Sequence, residues 1–191
     1  MERMRVLVAE KDSMCRKNLK EMLAAAGYFI VGEAKDGMSA LKMVRSLQPE
    51  VVLASANLPV LSGFELARII EEGRLAAAVL MVDYGEKDVI YKNGDRWSVP
   101  VLIKPFDEFY LLSILEYAYN VFSKMVGLEG EVSRLKNDLE TRKIVEKAKG
   151  ILMKIHGLSE EAAFKRLQQQ SMTKRTSMRN IAEAIITAFE I

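Results

Sequence analysis

Residues 6–9, 30–33, 51–54, 79–82 and 99–103 are short apolar runs rich in valine and isoleucine, and they largely lack polar alternation. A strand with one face in water alternates, so strands of this kind must be covered on both faces. Residues 13–26, 37–47 and 63–72, lying between the runs, have helical length and spacing. Strand and helix in regular succession predict an α/β fold, a doubly wound parallel five-stranded sheet with right-handed crossovers. The stretch 84–97 breaks the rhythm: Gly85, the pair Asn93 and Gly94, and scattered charges leave room for one irregular helical turn at best.

No strand signal follows Phe106. Leu111, Ile114, Ala118, Val121, Met125, Leu128, Val132, Leu135 and Leu139 instead recur at alternating spacings of three and four. That period predicts a coiled coil, and one helix alone cannot bury such a seam. Either a second copy faces it, which makes the chain a homodimer and is the reading we adopt, or the segment folds back on its own α/β domain. Gly127 and Gly130 each cost on the order of 1 kcal/mol against alanine in a helix and mark a soft joint.

The last fifty residues read as three further helices. The first continues the coiled coil, with Ile144, Ala148, Ile151, Leu152 and Ile155 on one face, and stops at Gly157. Ser159 caps the second, whose first turn carries Glu160 and Glu161 where the helix dipole favours acids, and Ala163, Phe164 and Leu167 form its apolar stripe. The third starts near Thr176 and Ser177 and places Met178, Ile181, Ala182, Ile185, Ile186 and Phe189 on one side. So small a core leans on the dimer for stability. The organisation expected is an α/β domain over 1–107 whose final helix, 107–120, runs into a coiled-coil linker over 108–141, followed by an all-α unit over 142–191.

Cys15 is the single cysteine and His156 the single histidine. Neither a disulfide framework nor a zinc site can be assembled from them within one chain, although carboxylate sites for Mg²⁺ stay open, and no cofactor is expected. Cys15 reads as a small neutral or buried residue, and His156, beside the helix-ending glycine, as a partner of the helix dipole. The apolar runs are strand-sized and the N-terminus turns charged early, so we expect a cytoplasmic chain without a membrane anchor or export signal. The net charge of +2 conceals an asymmetry: residues 131–191 carry 12 basic against 8 acidic residues. Positive charge gathered at one end suits a polyanion partner, and equally suits a solvated helical surface.

The run VLVAEKDS at 6–13, the segment VVLASANLPVLSGFEL at 51–66 and IKPF at 103–106 resemble a response-regulator receiver domain over about residues 4–120, with its flavodoxin-like sheet. In that family two acids after the first strand and an aspartate ending the third hold Mg²⁺, and that aspartate takes phosphate from a histidine kinase. A hydroxyl residue ends the fourth strand, and a lysine precedes a proline after the fifth. Carried onto this chain, the acceptor position holds Ser55, the second acid is Lys11 and the fourth-strand position holds Asp83; only Glu10 and Lys104 match. A serine hydroxyl without a neighbouring base is a poor acceptor, and the set of oxygen ligands for Mg²⁺ is broken. We therefore expect a degenerate pocket of Glu10, Lys11, Asp12, Ser55, Asp83 and Lys104 that is not phosphorylated on aspartate. Lys11 and Lys104 are expected to fill the cation's space and pair with Glu10, Asp12 or Asp83.

AKGILM, HGLSEEAAF and NIAEAI, within residues 142–186, resemble an ANTAR domain, the RNA-binding module of bacterial transcription antiterminators. The resemblance implies a unit that works in pairs on paired RNA stem-loops and favours an antiterminator over a terminator hairpin. By spacing alone, Lys143, Lys147, Gly150 and Lys154 fall on one line, with Arg142 and Lys149 on an adjoining one, away from the apolar stripe. Gly150 is costly in mid-helix unless something comes close, a phosphate backbone or a neighbouring helix, and helix packing is the reading we favour. Lys174, Arg175 and Arg179 add charge at the start of the third helix, where free N–H groups attract phosphate. With Phe164 and Phe189 on core stripes, bases would be read by Arg, Lys and Gln, and Gln168, Gln169, Ser171 and Thr173 are the polar candidates.

The sequence thus predicts a non-enzymatic, homodimeric transcription antiterminator of a two-component type, resembling the amidase-operon regulators. By that analogy a ligand-sensing partner protein replaces phosphate as the control. No DNA partner is expected, because no helix-turn-helix is recognisable. The rival is a signalling interaction protein that acts through its pseudo-receiver and coiled coil and binds no RNA.

Overall fold

In a computed structural model, residues 4–86 and 99–189 are described. The chain divides into two compact units, Met1–Gly127 and Leu128–Ile191, and each is described by itself.

Five parallel strands form the first unit: β1 (Arg5–Ala9), β2 (Phe29–Ala34), β3 (Val51–Ser55), β4 (Ala77–Asp83) and β5 (Val101–Lys104). They lie in the order β2-β1-β3-β4-β5. Helices α1 (Ser13–Ala25), α2 (Gly37–Leu47) and α3 (Gly63–Glu72) connect the early strands, within a residue of the spans expected. The doubly wound parallel sheet is therefore present as read from the apolar runs. Alternate residues of those runs serve opposite faces. Leu7, Val52, Ala54, Leu80 and Val82 meet α2 and α3, while Val6, Val8, Leu53, Val79 and Leu102 meet α1 and the helix after β5. Tyr84–Glu86 forms one 3-10 turn, and the rest of the irregular stretch foreseen at 84–97 lies outside the described residues.

Helix α4 spans Glu108–His156. Its first turns belong to the core of the first unit, where Leu111, Leu115 and Ala118 are buried and Ile114 is packed beside them. This corrects the heptad reading at its start: Leu111, Ile114 and Ala118 are spent on the sheet. The sheet's second face needs a cover beside α1, and the helix after the last strand supplies it. Within the second unit, Leu128, Val132, Leu135 and Leu139 stay about half exposed, between 49% and 59%.

The second unit packs the end of α4 against α5 (Glu160–Lys174) and α6 (Met178–Phe189). Its buried residues are Val145, Ala148, Leu152, Ala163, Leu167, Ile181 and Ala182. Ser159 caps α5 by accepting from Ala162 N–H, and Gly157 takes the positive φ of 62° that a chain leaving a helix requires. Three expected core residues are instead outside: Ile155 is 49% exposed, Phe164 41% and Phe189 47%. Val145, one position round from Ile144, takes the buried place, so the stripe on α4 is rotated toward it. No helix among the described residues is long and apolar enough to cross a membrane.

Candidate functional site

The first candidate site lies at the carboxyl ends of the strands, beside the point where the strand order reverses between β1 and β3, where open α/β sheets present ligand-binding crevices. Glu10 follows β1, while Ser55, Asp83 and Lys104 end β3, β4 and β5. The loop after β3 is held close because Gly63 opens α3 directly against the Ser55 carbonyl; a Cβ at Gly63 would overlap that oxygen.

Glu10 is 1% exposed and fully engaged. Its Oε2 accepts from Lys104 Nζ at 2.6 Å, and its Oε1 accepts from the Asp12 N–H at 3.0 Å. Burial pushes the Glu10 carboxyl up, but the Lys104 ammonium and the Asp12 N–H outweigh it and hold the group below its ordinary range. Burial likewise disfavours the Lys104 charge, and the Glu10 carboxylate overcomes that and raises the lysine above its usual value. Lys104 Nζ also lies 3.5 Å from Ser55 Oγ, itself buried. Lysine, glutamate and serine thus close the pocket floor.

Half of the expected pairing is therefore present. Lys11, by contrast, is exposed, and no carboxylate among the described residues forms an ion pair with it. An exposed Lys11 does not fill the pocket as foreseen. Asp12 is also diverted: its Oδ1 accepts from the Cys15 N–H at 2.7 Å and caps α1. Asp83 stands exposed, in register with Lys104 across β4 and β5. The residues present do not fit a Mg²⁺ ion, since one buried acid remains and its oxygens are already bonded to a cation and an N–H. Among the described residues no three His, Cys, Asp or Glu side chains converge as a metal site.

Two neighbours escaped the sequence reading. Arg16 Nη1 donates to the Glu10 carbonyl at 2.6 Å while its Nε faces Glu33 at 3.3 Å, tying the β1 loop to β2. Cys15 borders the pocket; burial raises its thiol, Lys104 pulls it down, and Glu10 pushes it up again, leaving it above its ordinary value. Only the position of Cys15, one turn into the helix that follows the acidic loop, hinted at this.

The second candidate site is the basic surface of the second unit. Arg142, Lys143, Lys147 and Lys154 are exposed on α4, and Lys174 and Arg175 are exposed at the end of α5. Lys149 is not part of that surface. It is 6% exposed, and its Nζ donates to Glu146 at 2.9 Å and to Glu160 at 2.8 Å, so it pins the start of α5 to α4. Those carboxylates, Glu160 first, raise the Lys149 ammonium above its ordinary value. By spacing Lys149 falls away from the apolar stripe, but Val145 and Leu152, four before and three after it, are buried and draw it inward.

Arg179 is engaged as well. Its Nε meets Glu183 at 2.8 Å, its Nη1 donates to Asn137 at 2.7 Å, and its Nη2 lies 3.8 Å from Glu140. It braces α6 against α4 instead of standing free for phosphate. The start of α6 is served by Ser177, whose Oγ accepts from the Asn180 N–H at 3.1 Å. Ser171 Oγ donates to the Thr176 carbonyl, which leaves Gln168, Gln169 and Thr173 as the exposed polar candidates. Arg166, exposed on α5, is a cation the sequence reading passed over. A Cβ at Gly150 would meet no atom within 4 Å, so the helix packing favoured for it from sequence is absent among the described residues.

Residues 6–116 match the family of response regulator receiver domains, and residues 133–186 match the ANTAR domain. The chain is 38% identical over 182 residues to the transcriptional regulatory protein PdtaR of Mycobacterium tuberculosis, across 95% of this chain and 89% of that protein. Among the solved structures that resemble this chain, two receiver domains cover its first unit. The signal receiver domain of an HD domain-containing protein from Pseudomonas fluorescens Pf-5 superposes with a TM-score of 0.56 at 23% identity, covering 64% of this chain and 99% of that one. The receiver domain of the putative response regulator NarL from Mycobacterium tuberculosis gives 0.56 at 22%, covering 62% and 98%.

Proposed function

Since the chain belongs to the response regulators, with a receiver domain followed by an ANTAR domain, we propose that it is a transcription antiterminator that binds paired RNA stem-loops as a dimer, independently of aspartyl phosphorylation. The observation that carries the RNA reading is the row of exposed Lys143, Lys147 and Lys154 within the ANTAR segment, where a polyanion meets cations on one helix face. Arg142, Lys174, Arg175 and Arg166 extend the positive surface. Phe164, exposed beside Gln168 one turn on, supplies a ring on which an unpaired base can stack.

Independence from phosphate is supported by the pocket. Where a receiver presents a carboxylate to Mg²⁺ and a phosphoryl donor, this chain presents the Ser55 hydroxyl, and the buried Glu10 beside it is bonded to Lys104. Dimerisation is supported by the half-exposed row Leu128, Val132, Leu135 and Leu139, four apolar positions at coiled-coil spacing. In this reading residues 1–107 sense, 108–141 couple and 142–191 bind RNA. A partner protein that responds to a small molecule is the class of signal that suits a receiver closed to phosphate, and the chain acts in the cytoplasm as a regulator, not an enzyme.

Titration of the full chain with RNA bearing two short hairpins tests the reading. Binding should fall steeply with salt and, at constant Mg²⁺ and ionic strength, be unchanged by acetyl phosphate, and the protein should gain no acid-labile phosphate. No binding at low salt would favour the interaction-protein alternative, and acid-labile phosphate would remove the case for a closed pocket.

A further inference from the structure

Glycine in the interior of a helix is disfavoured against alanine, so a mid-helix glycine calls for a cause. Two ordinary causes fail at Gly150, as they do at Gly127 and Gly130 of the same helix, and what sets Gly150 apart is the lysines that flank it. Its backbone does not have the positive φ found at Gly27 and Gly157, so its conformation suits any residue. A Cβ built on it would meet nothing within 4 Å, so no neighbouring helix among the described residues requires the space. What the missing side chain leaves is partly exposed helix backbone, three residues after Lys147 and four before Lys154, with Lys143 seven before it on the same line.

We propose that Gly150 is a contact point for RNA, where the absent side chain lets a sugar-phosphate strand lie against the helix between Lys147 and Lys154. The inference rests on the RNA-binding reading and deepens it by assigning the place of closest approach. From Lys143 to Lys154 the helix rises about 16 Å, long enough to follow several phosphates of one strand. The flanking ammonium groups attract the phosphate oxygens, and close approach at Gly150 shortens those ion pairs. A second copy of the chain is the other candidate for this space, but the apolar seam ends at Leu139. The next positions of its heptad are Arg142 and Glu146, both exposed and charged, so the row that would bring a partner helix to Gly150 is not continued.

The test uses the full chain and a fluorescein-labelled tandem-hairpin RNA selected from a randomised-loop pool on the unsubstituted protein. Gly150→Ala should bind that RNA about tenfold more weakly, one decade in Kd. The slope of log affinity against log salt should become shallower by roughly 0.7 to 0.9 for each phosphate that the variant no longer neutralises. The same variant should melt no lower than the parent and dimerise with unchanged affinity. Gly130→Ala is the control: it too is an open mid-helix glycine, about 30 Å along the helix, and its RNA affinity should equal the parent's. If Gly150→Ala binds RNA as the parent does, the proposed approach is overturned while the RNA-binding reading stands. If it weakens the dimer without RNA present, this backbone belongs to a partner helix and the proposal is again overturned. If the parent enriches no RNA, the reading and the inference fall together.

Discussion

Lys104 Nζ lies 2.6 Å from Glu10 Oε2, with the glutamate side chain 2% exposed and the lysine side chain 19%. A carboxylate at this depth is tolerated because it is paired and bonded, so removing one partner exposes the cost of the other. Lys104→Met should destabilise the first unit by about 1–3 kcal/mol, below the roughly 3–5 kcal/mol typical of fully buried pairs because the lysine keeps some access to water. The double variant Glu10→Gln with Lys104→Met should recover part of that loss. Urea unfolding of the four proteins gives the coupling, and additive effects would show that the two groups do not stabilise each other.

The same pair sets two pH limbs. Glu10 is held below its ordinary value of 4.5, so its contribution to stability is present above 4.5 and is lost as pH falls through the depressed folded value. Lys104 is held above 10.5, so its contribution is present below 10.5 and is lost as pH rises through the raised folded value. Stability should therefore carry an acid limb that Glu10→Gln flattens and an alkaline limb that Lys104→Met flattens. Urea midpoints across pH measure both, and a variant whose limbs match the parent's would remove the assignment.

The sheet was readable because fully buried parallel strands write themselves as unbroken apolar runs, and the pocket because Ser55 and Lys11 stand where acids would. Other features were not. Lys149 and Lys143 both fall outside the apolar stripe on a helical wheel, yet Lys143 faces water and Lys149 does not, a difference fixed by where Glu160 arrives from α5. Similarly, Leu111 and Leu135 share one heptad row, and only the presence of the sheet's uncovered face beside α1 separates a core leucine from a surface one. Phe164 shows the same limit at the edge of a stripe, since Ala163 and Leu167 fill the buried side and leave the ring outside. Short-range periodicity locates a face, whereas its edges are decided by distant partners.

Lys149 and Lys143 should separate fold from RNA binding. Lys149→Ala removes the tie between α4 and α5, so it should lower the melting temperature of the second unit while the folded protein keeps the parental salt slope for RNA. Lys143→Glu should leave melting unchanged, weaken binding across RNA sequences and flatten the salt slope by roughly 0.7 to 0.9 for each phosphate left without its cation. Thermal denaturation and salt-dependent anisotropy distinguish them. Equal melting losses in both variants would mean that the exposed lysine is structural after all.

Leu135 and Leu111 lie on one heptad row and should fail in different ways. Leu135 is 54% exposed, so Leu135→Asp leaves the packing of its own chain intact and places a charge on the seam that the proposed dimer buries. Sedimentation should then show a folded monomer at concentrations where the parent is dimeric, with RNA affinity reduced because two stem-loops are no longer held by one assembly. Leu111 is fully buried against the sheet, and Leu111→Ala should cost the first unit about 2–5 kcal/mol without changing the association of molecules that remain folded. A dimer that survives Leu135→Asp would show that the exposed row is not the interface, and would direct attention to Val121 and Met125, the last seam positions of the first unit.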